Sequence, residues 1–165
     1  MDSKIDRMLA EAFECAEDGN YSDAIKLYDL VLKKEPENIS ALVDKGVTLH
    51  NMGRVKLAIR SYDKALSKSP NYLDALLNKG AALHSSEKYQ EAIDCYDQAL
   101  KIDKKCTMAL AYKGLSLGEM GQLHDAIKYF KKALSIDNEY DLAHISKEIA
   151  QELLKSIKAE KTKTQ

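Results

Sequence analysis

Residues 39–72, ISALVDKGVTLHNMGRVKLAIRSYDKALSKSPNY, decide the fold. In their first half Ala41, Leu42, Leu49 and Met52 recur at helical spacing, and in the second half Leu57, Ala58, Ile59, Tyr62, Ala65 and Leu66 do the same. Gly53 stands between the halves and supplies the backbone freedom to leave one helix and enter the next, while Pro70 stops the second. The stretch predicts a helical hairpin.

The hairpin recurs. Ala58 has counterparts at Ala24, Ala92 and Ala126, each 34 residues from the next. With each alanine travel an isoleucine (Ile25, Ile59, Ile93, Ile127), an aromatic ring (Tyr28, Tyr62, Tyr96, Phe130) and a leucine (Leu32, Leu66, Leu100, Leu134). Self-similarity at this period is the signature of a stacked-repeat array. Four modules, 5–38, 39–72, 73–106 and 107–140, are followed by a last helix over 141–158 and a polar tail, 159–165, expected to fray. All 165 residues are expected to form one such domain.

Small residues mark where helices touch. Gly46, Gly80 and Gly114 lie mid-helix, where glycine costs about 1 kcal/mol relative to alanine, so close approach to Ala58, Ala92 and Ala126, with the aromatic rings beside them, is the expected compensation. A second set (Ala41, Ala75, Ala109 and Ala143 with Thr48, Ala82, Ser116 and Ala150) would let each module stack on its predecessor.

On these residues the chain resembles the tetratricopeptide repeat family. The second module matches through Gly46, Ala58, Tyr62, Ala65 and Pro70, the third through Gly80, Ala92, Tyr96 and Ala99, and the fourth through Gly114, Ala126, Phe130 and Ala133. The first is looser, with Ala12, Ala24, Tyr28, Val31 and Pro36. The departures are the missing tryptophan (Met8, Leu42, Leu76 and Leu110 stand there), Lys104 and Asn138 in place of proline, and Glu87 in place of the turn glycine. The resemblance implies an all-α, right-handed superhelical solenoid of four helix-turn-helix repeats with a C-terminal capping helix. It also implies work as a scaffold for other proteins.

The family's architecture would turn Leu9, Phe13, Val43, Val47, His50, Leu77, Ala81, His84, Met108, Ala111 and Leu115 into a concave groove. Exposed apolar strips usually mark interaction sites, and the expected ligand is an apolar or amphipathic peptide, most simply a helix laid in by its apolar face. In the last helix Leu142, Ile145, Ile149 and Leu153 continue the strip. These side chains could instead shield one another, or the stripe of one chain could enter a neighbour and make a homo-oligomer. Some family members grip acidic chaperone tails through a carboxylate clamp. The matching positions here hold Leu9, Phe13, Asp44, Asp74 and Asn78, or one module later Val43, Val47, Asn78, Met108 and Tyr112. Neither set supplies charge-assisted donors, so no chaperone-tail binding is expected.

Other functions find little support. The 25 basic and 26 acidic side chains nearly balance, against the basic excess of a nucleic-acid binder. No apolar run reaches the ~18 residues of a membrane span, and the N-terminus, MDSKIDRMLAEAF, does not look like a secretory signal. Cys15, Cys95 and Cys106 form no C-x-x-C pair, which with the missing signal predicts a cytoplasmic protein. His50 and His84 share a place in adjacent modules, but two separated imidazoles, even with Glu119, fall short of a zinc ligand set. No metal, cofactor, glycine-rich phosphate loop or catalytic constellation is expected. Lys45, Lys79, Lys113 and Lys147 share one position and predict a solvated row, or a surface for an acidic partner.

Overall fold

The computed structural model describes residues 4–163. Their secondary structure is helical: α1 (Lys4–Glu17), α2 (Tyr21–Lys34), α3 (Ile39–Asn51), α4 (Val55–Lys68), α5 (Leu73–Ser85), α6 (Tyr89–Ile102), α7 (Thr107–Glu119), α8 (Leu123–Ile136) and α9 (Asp141–Lys163). The chain divides into two compact units, Met1–Ser86 with α1 to α5 and Glu87–Gln165 with α6 to α9. The division falls between the two helices of the third module. Within each unit every helix packs on the next, and alternate helices also touch, α1 on α3 and α3 on α5 in the first and α7 on α9 in the second.

The repeated small residues occupy the core. Ala24, Ala58, Ala92 and Ala126 are fully buried, as are Ala41, Ala75, Ala109 and Ala143. In the first unit Tyr62 packs with Leu42, Leu49, Ala58 and Ala65, and in the second Phe130 packs with Leu110, Ala126 and Ala133. A buried ring removes some 150–250 Å² from water, so the aromatic position dominates each hairpin. Its glycine partner follows from that ring. A Cβ on Gly46 would run into the Tyr62 ring, and one on Gly114 would lie 2.6 Å from Phe130 Cε1. The nearest neighbour of each glycine is therefore the ring, while Ala126 Cβ lies 3.9 Å from where a Cβ on Gly118 would be.

The turns use the backbone freedom that the sequence advertises. Gly19, Gly53 and Gly121 sit at φ +79°, +73° and +74°. The same left-handed conformation is imposed on Glu87, at φ 60°, where a side chain is disfavoured by about 1–2 kcal/mol. Where proline is missing, aspartate ends the helix. Asp103 Oδ1 accepts from the Lys105 amide (2.9 Å) and Asp137 Oδ1 from the Glu139 amide (3.0 Å), two side-chain turns that do the work Pro36 and Pro70 do after α2 and α4. At the start of α3, Asn38 Oδ1 accepts from the Ala41 amide at 2.9 Å.

The last helix departs from expectation. It has 23 residues against 13 for α3, α5 and α7, and runs through Lys163 rather than ending at 158. No glycine or proline interrupts 141–163, so nothing in the sequence stops it. Of the tail expected to fray, 159–163 is helix and 164–165 lie outside the described residues.

Candidate binding surfaces

Two surfaces and one recurring set of ion pairs stand out, each surface and each pair lying within one unit. The first is the apolar face of α1, α3 and α5. Phe13 is 55 % exposed, and Leu9, Val47, Leu77, Ala81, His50 and His84 are half-buried. Val43 does not line this face: it is buried in the cluster of Leu42, Leu49 and Tyr62 and gives a ligand nothing to touch on the unit's surface. His50 is tied into the fold. The Ser85 hydroxyl donates to the Ala82 carbonyl (2.9 Å) and accepts from His50 Nε2–H (3.0 Å), linking α3 to α5, and burial pulls the imidazole pKa below its ordinary value. Among the described residues no three His, Cys, Asp or Glu side chains are grouped to hold a metal ion.

Acidic groups lie beside this face. Burial, followed by the nearby Asp74 carboxylate, raises the Asp44 pKa above the usual carboxylate value. Asn78 spends its amide on the Asp74 carbonyl at 2.8 Å. The five positions that a carboxylate clamp would need as donors thus hold two apolar side chains (Leu9 and Phe13), two acids (Asp44 and Asp74) and an asparagine already bonded to the backbone (Asn78).

The second surface lies between α7 and α9. Leu115, Leu123, Phe130, Ile149 and Leu153, with Gly118 and Ala150 and the polar Glu119 and Ser146, border a cavity of about 300 Å³. Ile149 and Leu153 are 60 % and 49 % exposed, and the stripe continues through Ile145 and half-buried Leu142. Met108 is exposed on α7, while Ala111 is fully buried against the α8 and α9 core and lines nothing.

The lysines that share one position in successive modules are not a free edge. Lys45 pairs with Asp29 (2.5 Å), Lys79 with Asp63 (2.7 Å) and Lys113 with Asp97 (2.5 Å), each lysine reaching back to the preceding helix. Lys113 is the most buried of the three. Burial disfavours its charge, but the hydrogen bond to Asp97 and the neighbouring Tyr129 outweigh that and hold its pKa above the ordinary lysine value. Its Nζ also lies 4.6 Å from the centroid of the Tyr129 ring, with Lys132 Nζ at 4.8 Å. Sequence reasoning missed these pairs, although a fixed spacing of 16 residues between Asp and Lys in three modules carried the signal.

Helical hairpins repeated in series, with a ring seated on a glycine in the second and fourth and apolar faces left open, define a repeat protein of the binding kind. Models described as tetratricopeptide repeat match residues 16–72, 73–106 and 109–140, and the chain belongs to that family. No curated protein matches it. Among solved structures, one described as the crystal structure of MamA protein is 26 % identical, covering 90 % of this chain and 81 % of that one with a TM-score of 0.79. MamA 41-end from Desulfovibrio magneticus RS-1 shares the fold at 22 % identity, 98 % coverage of both chains and a TM-score of 0.78. The first TPR of Spaghetti (RPAP3), bound to HSP90 peptide SRMEEVD, shares it at 20 % identity, with 70 % of this chain and 92 % of that one covered and a TM-score of 0.68. Among the described residues no helix is long and apolar enough to cross a membrane.

Proposed function

We propose that this protein is a non-catalytic scaffold that holds an apolar or amphipathic segment of a protein partner. The observation that carries this reading is the cavity between α7 and α9: about 300 Å³, walled by Leu115, Leu123, Phe130, Ile149 and Leu153, it is of a size to take one large apolar side chain. In the first unit Phe13, Val47 and Leu77 offer further apolar contact. Asp44 and Asp74 repel carboxylates there, so a chaperone tail such as the one held by the RPAP3 repeat is not a ligand. Three free cysteines suit a reducing cytoplasmic setting.

The test is a helical peptide selected from a displayed library against the wild type, then titrated by calorimetry. Ile149→Glu with Leu153→Glu should abolish its binding with helicity intact; the positions are exposed and tolerate charge. Undiminished binding by this variant would remove the cavity from the mechanism.

Self-association is the second reading, favoured by Ile145, Ile149, Leu153 and Ile157, 58, 60, 49 and 37 % exposed along one helix. Light scattering over a hundredfold concentration range decides it. A mass that stays at 18.5 kDa rules it out, whereas an oligomer dissolved by Ile145→Glu with Ile149→Glu supports it.

A further inference from the structure

The ladder of lysine–aspartate pairs stops one rung early. The positions of Asp29, Asp63 and Asp97 recur in the fourth module as Lys131, and those of Lys45, Lys79 and Lys113 recur on the last helix as Lys147. Since α9 packs on α8 as α7 packs on α6, the equivalence sets an ammonium where each earlier rung has a carboxylate. By that equivalence the carboxylate of the rung is missing from the chain itself, and such breaks of a local rule concentrate at functional sites.

The surroundings strengthen the break. Exposed Lys128, Lys131 and Lys132 line a cleft of about 520 Å³ on α8 together with Ile127. Lys132 also borders a second cleft, of about 650 Å³, with Lys101, Lys104 and Tyr129. The one acid lining either cleft, Asp97, is already paired with Lys113.

We infer that this face of the second unit binds an acidic segment of a partner protein, one of whose carboxylates takes the place of the missing aspartate between Lys131 and Lys147. At each earlier rung the lysine equivalent to Lys147 holds a side-chain carboxylate. Apolar walls from Ile127, Leu100 and Tyr129 suit a peptide that alternates acids with apolar residues better than a flat bilayer or a uniformly charged nucleic-acid backbone. The surface is separate from the α7–α9 cavity, so failure of either leaves the other standing.

The probe is a fluorescent twelve-residue peptide of alternating glutamate and leucine, set against its glutamine analogue, a single-stranded DNA of equal charge and phosphatidylserine vesicles. The wild type should bind the acidic peptide, more weakly as salt rises, and not the glutamine analogue. Lys131→Asp, which completes the ladder, should weaken binding about tenfold or more while thermal stability holds or rises. Lys33→Asp, an equal change of net charge on α2, should leave binding unchanged. Lys131→Gln checks the result with a neutral side chain and should fall between wild type and Lys131→Asp. Equal affinity in wild type and Lys131→Asp, an equal loss in Lys33→Asp, or preference for DNA or vesicles would each overturn the assignment.

Discussion

The junction between the first two modules and the junction between the fourth module and α9 are built on the same positions and come out differently. At the first, Phe13, Tyr28, Asp44, Val47 and Thr48 leave about 50 Å³. At the last, the equivalent Leu115, Phe130, Ser146, Ile149 and Ala150 leave about 300 Å³. Thr48 bonds the Asp44 carbonyl through its hydroxyl (2.9 Å) and also meets the Tyr28 hydroxyl, so polar groups fill and fasten that junction. Ala150 and Phe130 have no hydroxyls, Ser146 is shorter than aspartate, and Gly118 stands where the first module has Ala16. A few atoms per position separate a nearly closed seam from a cavity of about 300 Å³, with the 34-residue repeat unchanged.

The largest effect expected from this contrast is alkaline. Burial first, then Asp44, pushes the Tyr28 phenol from its ordinary 10.0 up to about 12, and burial raises Tyr62 and Tyr96 further. A folded-state pKa above the unfolded one stabilises the fold below pH 10, and that stability is lost as pH climbs from 10 through the folded values. Helicity should fall in this window together with the rise of phenolate absorbance. The Tyr62 hydroxyl is buried with no hydrogen-bond partner among the described residues. Tyr62→Phe, which copies the Phe130 solution, should therefore move the alkaline midpoint upward; a downward shift would show that the hydroxyl is satisfied.

Next in size is a pair of glycine substitutions. Gly46→Ala drives a methyl into Tyr62, which is fully buried, and should cost about 1–3 kcal/mol in urea unfolding. Gly114→Ala meets Phe130, which borders the 300 Å³ cavity and has room to move, so its cost should be clearly smaller. Equal costs would mean that the cavity does not relieve its ring.

The smallest effect is a gain. A Cβ on Gly118 would meet only Ala126, at 3.9 Å, and alanine is the better helix former by about 1 kcal/mol. Gly118→Ala should raise the melting temperature slightly and weaken peptide capture by narrowing the cavity, as calorimetry against the selected peptide would read. A variant equally stable and equally good at binding would dissociate the cavity from Gly118.

Much of this was legible in the residues. The 34-residue recurrence of alanine, ring and glycine named the hairpins and the family because side chains repeating at helical spacing must share a face. The candidate site was legible by place, not by state. Phe13 and Val47 sit at the same position of successive modules, yet Phe13 is 55 % exposed and Val47 half-buried, while Val43 is buried where its counterpart Leu9 is half-buried, since burial depends on which neighbour leans over each. The aspartate turns at Asp103 and Asp137 were readable as Asp just before the missing prolines. The ion-pair ladder was written at a spacing of 16 residues, which no single helix brings together.

The sequence by itself determined that α-helical hairpins repeat, where each turns, and which family they form, because periodicity and turn chemistry act over a few residues. Only the tertiary structure decided that the first junction leaves about 50 Å³ while the last holds a cavity of about 300 Å³, and that three lysines are paired with aspartates on the preceding helix. Those outcomes depend on atoms brought within a few ångströms of one another by packing, across chain separations that local pattern does not span.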